Sequence, residues 1–215
     1  MTKNKYIKFI PVILLFLLVL TFLFFYGDKA FVVTSTKFQY KTGGTGGFND
    51  GVLWARVPNK EKVGQLTYYD RPYAFGTYKW TGRFISNATE GWITQGFISL
   101  DNSKYIAFER IYSENIFRCI TYDKIVPNGQ MENTQASIVN FSDFQQENDY
   151  KIVWRSNYVS FYINNNLVAN HTKQVPHIKL YFHTAICVND WMGVPGDSLD
   201  SRITDFVLKE EIIVG

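Results

Sequence analysis

Beyond residue 30, apolar and polar positions alternate along most of the chain with a period of two. Short runs rich in Val, Ile, Thr, Tyr, Phe and Trp, bounded by Gly, Asn, Asp and Pro, predict strands over 73–85, 92–100, 105–112, 115–122, 150–155, 158–164, 178–188 and 201–210. Ser156-Asn157 predicts a tight hairpin, and Asn164-Asn165-Asn166 a second turn into 167–171, because Asn tolerates positive φ. No segment here carries a sustained helical period, a repeat or a low-complexity linker. The pattern predicts one all-β domain of two packed sheets over 31–215.

One run breaks the alternation. Phe9 to Tyr26 is uncharged and almost wholly apolar, and Lys3, Lys5 and Lys8 precede it. As a helix, eighteen residues would span about 27 Å, near the thickness of a hydrocarbon core. A cleaved signal peptide is the competing reading, but its apolar region is usually about 7–15 residues and ends at a small-x-small site. Here Gly27-Asp28-Lys29-Ala30 places a charge where a small residue belongs. The favoured reading is a single transmembrane signal-anchor within 1–30, with the lysines cytoplasmic and 31–215 outside. Either reading exports the domain.

The net charge of +3 belongs to this segment, since Lys3, Lys5, Lys8, Lys29 and Asp28 account for all of it. A neutral exported domain lacks the electrostatic footprint of a nucleic-acid binder, and that partner class is set aside. Export permits a Cys119–Cys187 disulfide, and two buried thiols are an equal expectation. No CxxC or HExxH spacing suggests a transition-metal site.

Several separated stretches resemble the family-16 glycoside hydrolases, the laminarinases and lichenases of the concanavalin A-like lectin/glucanase superfamily. They are Gly46-Gly-Phe-Asn49, Phe75-Gly-Thr-Tyr-Lys-Trp80, Asp149-Tyr-Lys-Ile-Val-Trp154 with Val159-Ser-Phe-Tyr-Ile-Asn-Asn-Asn-Leu-Val168, Lys179-Leu-Tyr-Phe-His183, Asn189-Asp-Trp-Met-Gly193 and Thr204-Asp-Phe-Val-Leu208. Their order and spacing hold over roughly 38–210. The resemblance implies a jelly-roll β-sandwich with a glycan groove on one sheet. The family's catalytic strand, E-x-D-x-E, falls on Tyr105-Ile-Ala-Phe-Glu109.

A retaining glycosidase needs two carboxyl groups about 5–5.5 Å apart. Here Glu109 holds the acid/base position, Tyr105 stands at the nucleophile position and Ala107 at the helper position. A catalytic tyrosine needs a base to lower its pKa of about 10, and only Glu109 is left to supply one. Asp101 precedes the strand and could overhang the groove; Glu114, five residues on from Glu109, would face the other way. A lone Glu beside a Tyr suffices to hold sugar hydroxyls, and the structural alternative pairs Glu109 with a neighbour such as Arg118.

The resemblance further implies glycan contacts at Asn49, Trp92, His183 and Trp191, with Ala185 replacing a groove Trp; Trp54, Trp80 and Trp154 are expected in the core. Asp205 matches a position that helps hold a structural calcium ion in many members, although calcium takes several oxygen ligands and one side chain transfers. No cofactor is required. The leading expectation is a membrane-anchored, exported binder of a β-glucan-like polysaccharide without normal hydrolase activity. The alternatives are an active hydrolase or transglycosylase with a rearranged site, and a protein-interaction module whose groove is filled by Tyr105, Phe97 and Tyr181.

Overall fold

A computed structural model describes residues 36–41, 45–57, 64–101, 103–122, 134–187 and 199–210, all within one structural unit, Val33–Gly215. These residues form fourteen strands: β1 (Thr36–Lys41), β2 (Thr45–Asn49), β3 (Val52–Val57), β4 (Gly64–Tyr73), β5 (Gly76–Ile85), β6 (Trp92–Ile98), β7 (Tyr105–Ile111), β8 (Ile116–Tyr122), β9 (Thr134–Ile138), β10 (Asn148–Trp154), β11 (Val159–Ile163), β12 (Asn166–His171), β13 (Leu180–Cys187) and β14 (Leu199–Glu210). They pair into two seven-stranded antiparallel sheets, ordered β1-β4-β13-β6-β7-β8-β9 and β12-β11-β10-β5-β14-β3-β2. This is the all-β sandwich that the alternation predicts. The anchor run Phe9–Tyr26 lies outside the described residues; among those described, no helix is long and apolar enough to cross a membrane.

Strand ends follow local chemistry. Asp50 and Gly51 take φ of 48° and 79° in a two-residue turn between β2 and β3; Asn164 and Asn165 take 50° and 65° between β11 and β12. Paired positive φ matches the twist of the flanking strands, and Asn, Asp and Gly bear it at least cost. The predicted strand over 73–85 is instead two. Tyr73 closes β4 in the first sheet and Gly76 opens β5 in the second, with Ala74 and Phe75 turning the corner. The Tyr78 hydroxyl donates to the Ala74 carbonyl across that corner. Period-two alternation cannot register the change of sheet, because the apolar face stays inward on both sides.

The core between the sheets is aromatic. Trp80, Tyr78, Phe84, Phe97, Phe108, Phe117, Tyr150, Trp154, Phe161 and Phe182 are buried there, mostly in edge-on or tilted contacts. Trp80 and Trp154 are core residues as expected. Trp54 is not: Leu53, Ala55 and Val57 take the inward positions of β3, leaving Trp54 half-buried on the outside, over Gly47. Phe97 likewise faces the core and fills no groove. Cys119 points into the core from β8, whereas Cys187 points to the other face from β13, with two strands between them, so no disulfide joins them.

Within this apolar layer Gln95 of β6 is fully buried and polar. Its Oε1 accepts from Trp80 Nε1 at 3.0 Å, and its Nε2 donates to Ser201 Oγ at 2.9 Å, Arg83 O at 3.0 Å and Arg202 O at 3.2 Å. One side chain thus ties β6 of the first sheet to β5 and β14 of the second. Replacing Gln95 with Leu strands the Trp80 and Ser201 partners, and a buried unmade hydrogen bond costs about 1–3 kcal/mol. Gln95→Leu is expected to lower unfolding free energy by about 2–4 kcal/mol in urea titrations, with the denaturant slope unchanged.

Candidate glycan site on the first sheet

Opposite the core, the central strands of the first sheet present a grid. Cross-strand register sets Tyr181, Ile98, Tyr105 and Tyr122 in one row; His183, Gly96, Ala107 and Ile120 in the next; and Ala185, Thr94, Glu109, Arg118 and Ile138 in a third. Alternation puts Tyr105, Ala107 and Glu109 on this face, as the sequence predicts. The β7–β8 register runs without a bulge from Tyr105↔Tyr122 to Ile111↔Ile116, and Glu114 lies on the exposed turn beyond it.

Gly96 makes the floor of this grid flat. Its φ is +154°, and a Cβ there would stand 2.2 Å from Ile106 O and 2.7 Å from Ala107 Cα. Ile98, Tyr105, Ala107, Ile120 and Tyr122 form a second apolar cluster, separate from the intersheet core. The face is therefore buried, with Tyr105 2 % and Glu109 0 % exposed. Tyr105 stacks on Tyr122 with ring centroids 5.0 Å apart and lies 5.5 Å from the His183 ring.

Three of the sequence-predicted residues meet here: Tyr105, Glu109 and His183. Glu109 Oε2 accepts from Arg118 Nε at 2.6 Å, and Arg118 remains 22 % exposed. His183 Nε2 lies 2.8 Å from Thr94 Oγ1. Glu109 Oε1, Tyr105 Oη and His183 Nδ1 are buried without a well-formed hydrogen bond among the described residues, the Tyr105 hydroxyl approaching the Glu109 carboxylate and Thr94, and the Gly96 backbone approaching His183. A polar atom so placed carries the full cost of desolvation until a ligand or water satisfies it. Sequence reasoning overlooked Thr94 and Tyr122, although Thr94 is legible as the residue two beyond Trp92 on the same face of β6.

The electrostatics oppose tyrosine catalysis. Burial pushes the Tyr105 phenol well above the usual tyrosine range, and the adjacent Glu109 charge raises it further. Burial also raises the Glu109 carboxyl, with Arg118 pulling it back down. Asp101 is committed elsewhere: its Oδ1 accepts from Ser99 Oγ at 2.5 Å and Ser103 N at 3.0 Å, which hold its pKa down to about 2 in the β6–β7 turn. Glu109 is the one carboxylate this face of β7 carries.

The remaining candidates lie apart. Trp92 stands half-buried at the far end of β6, its Nε1 buried and without a partner. Asn49 sits on the edge strand of the other sheet, exposed and donating to Asp50 Oδ2 at 3.1 Å. Trp191 lies outside the described residues, and Asp205 falls at a register shift in β14 with its side chain outside them. Among the described residues no three His, Cys, Asp or Glu side chains group as a metal site.

Solved structures share this architecture. The laminarinase catalytic domain from Thermotoga maritima MSB8 matches with a TM-score of 0.63 and 11 % identity, over 86 % of this chain and 95 % of that one. A β-1,3-1,4-glucanase (lichenase) from a mouse hindgut metagenome matches at 0.60 with 14 % identity, over 85 % and 96 %. The carbohydrate-binding module CBM66 from Bacillus subtilis matches at 0.56 with 10 % identity, over 84 % and 99 %. The fold is thus the jelly-roll sandwich of laminarinases and lichenases, the one implied by the sequence resemblance. No protein-family model matches the chain, and no curated protein matches it in sequence.

Burial lowers His183 to about 3 and His171 to about 4. Both stay neutral in the fold while the unfolded chain takes up protons near pH 6.5. The unfolded state therefore binds more protons between pH 6.5 and those values, and these groups lose stability as pH falls through that window. Glu109, raised in the fold, acts in the opposite sense: its contribution is present at low pH and is lost as pH rises through its raised pKa. His183→Gln should flatten the acid limb of the stability–pH curve by up to about 1.4 kcal/mol per pH unit.

Proposed function

We propose that this protein binds a β-glucan-like polysaccharide on the outer face of its first sheet and lacks normal glycosidase activity. The carrying observation is the strand Tyr105–Glu109, where one carboxylate stands and its Oε2 is occupied by Arg118. Retaining hydrolysis needs a second carboxyl group as nucleophile. The residue in that position is a phenol whose ionisation both burial and Glu109 oppose. Binding needs less. A sugar hydroxyl donating to Glu109 Oε1, and others meeting Tyr105 Oη and His183 Nδ1, would complete hydrogen bonding that these buried atoms make only in poor geometry with Thr94, Gly96 and one another. The sandwich fold, shared with glucanases and with a carbohydrate-binding module, supports this reading. The export segment 1–30 completes it, as a membrane anchor that leaves the domain outside the cytoplasm.

The full-length protein in neutral detergent is expected to bind laminarin or lichenan in calorimetry, and Glu109→Ala to weaken binding about tenfold, or 1.4 kcal/mol. No reducing ends should be released from either polymer. Absence of binding to any β-glucan overturns the reading. Product release abolished by Glu109→Gln would establish an active hydrolase in its place.

A further inference from the structure

The outer face of the second sheet carries a different chemistry. Inward positions there are apolar, and the alternate residues form two rows fixed by register. Trp54 of β3 stands opposite Arg202 of β14, which stands opposite Arg83 of β5. Four residues back along β5, Lys79 stands opposite Lys151 of β10, which stands opposite Tyr162 of β11. The rows join through Arg83 and Lys79 into one diagonal stripe: an aromatic ring, four cations, an aromatic ring. Strands lie about 4.8 Å apart and residues rise about 3.3 Å, so the stripe crosses five strands over about 19 Å and runs about 13 Å along β5.

Two of its cross-strand pairs, Arg202–Arg83 and Lys79–Lys151, are like-charged and directly opposed, an arrangement that costs stability. Arg202 is forked onto Asp200 at 3.1 and 3.2 Å. Asp149, between the rows, accepts from Thr81 Oγ1 at 3.2 Å. Neither Lys79 nor Arg83 has an acidic partner among the described residues, and Arg83 Nε is buried without any hydrogen bond. Lys151 lies 3.8 Å over the Tyr162 ring, and the Trp54 indole lies over Gly47, where a Cβ would come within 3.2 Å of Nε1. Both rings therefore flank the cations on a flat pleated surface.

We infer that this face binds an acidic polysaccharide, whose carboxylate or sulfate groups neutralise the Lys79–Lys151 and Arg83 charges while its sugar rings pack on Tyr162 and Trp54. An anion between opposed cations turns their repulsion into attraction, and aromatic faces take sugar C–H groups. A lipid surface fits less well, since the one exposed aliphatic side chain adjoining the stripe among the described residues, Leu167 opposite Tyr162, offers little apolar area to insert. The inference is independent of the first sheet, which lies across the core.

The test uses the full-length protein in neutral detergent with polygalacturonate and dextran sulfate at low ionic strength. Binding is expected, weakening as salt is added. Lys151→Glu should weaken it at least about tenfold. That variant replaces a like-charged pair by an opposite-charged one, so its melting midpoint should not fall, and laminarin binding should be unchanged. Failure to bind either polyanion, parental affinity in Lys151→Glu, or equally tight binding of polyuridylate or phosphatidylglycerol vesicles would overturn the inference.

Discussion

The Gln95 side chain is the constraint around which the sandwich is arranged. Two facing sheets of Phe, Trp and Tyr can slide on one another, because apolar burial has no direction. A buried amide with partners on two strands of the facing sheet has direction, and it sets which residue of β6 faces inward. Gly82 follows from it, since a Cβ there would stand 2.3 Å from Gln95 Oε1. Beside it, Thr184 Oγ1 lies 2.5 Å from Ser201 Oγ and donates to Thr94 O at 3.2 Å, extending the polar seam to β13. With Gln95 inward, Thr94 and Gly96 must face outward. The grid around Glu109 inherits its geometry from that choice.

On that grid, the same burial that removes water also decides the chemistry. A phenol at the nucleophile position becomes harder to ionise in a dry cluster beside a carboxylate, and the single carboxylate is engaged by Arg118 through one oxygen. What is left is a set of buried polar atoms in poor hydrogen-bond geometry on an apolar floor. The two faces of the molecule then differ in kind: one dry and weakly charged, the other cationic and bracketed by rings.

The sequence by itself determined the strand class, most strand positions, the turns at Ser156-Asn157 and Asn164-Asn165, and the shared face of Tyr105, Ala107 and Glu109. These are local properties, set by a two-residue period and by turn residues, of which Asn164 and Asn165 take positive φ. Strands β1 to β4 and β9 were less legible in the sequence, where short runs interrupted by Gly, Asn and charged residues do not stand out from loops. Only the tertiary structure decided what faced what. It split 73–85 between two sheets, moved Trp54 to the outside and Phe97 to the core, and set Cys119 and Cys187 on opposite faces. It also placed Thr94 and His183 beside Glu109 and aligned Lys79 with Lys151. The physical reason is common to all of these: alternation tells which residues share a side of one strand, whereas the identity of that side, and its neighbours across strands, depend on pairing between residues as distant as Thr94 and His183.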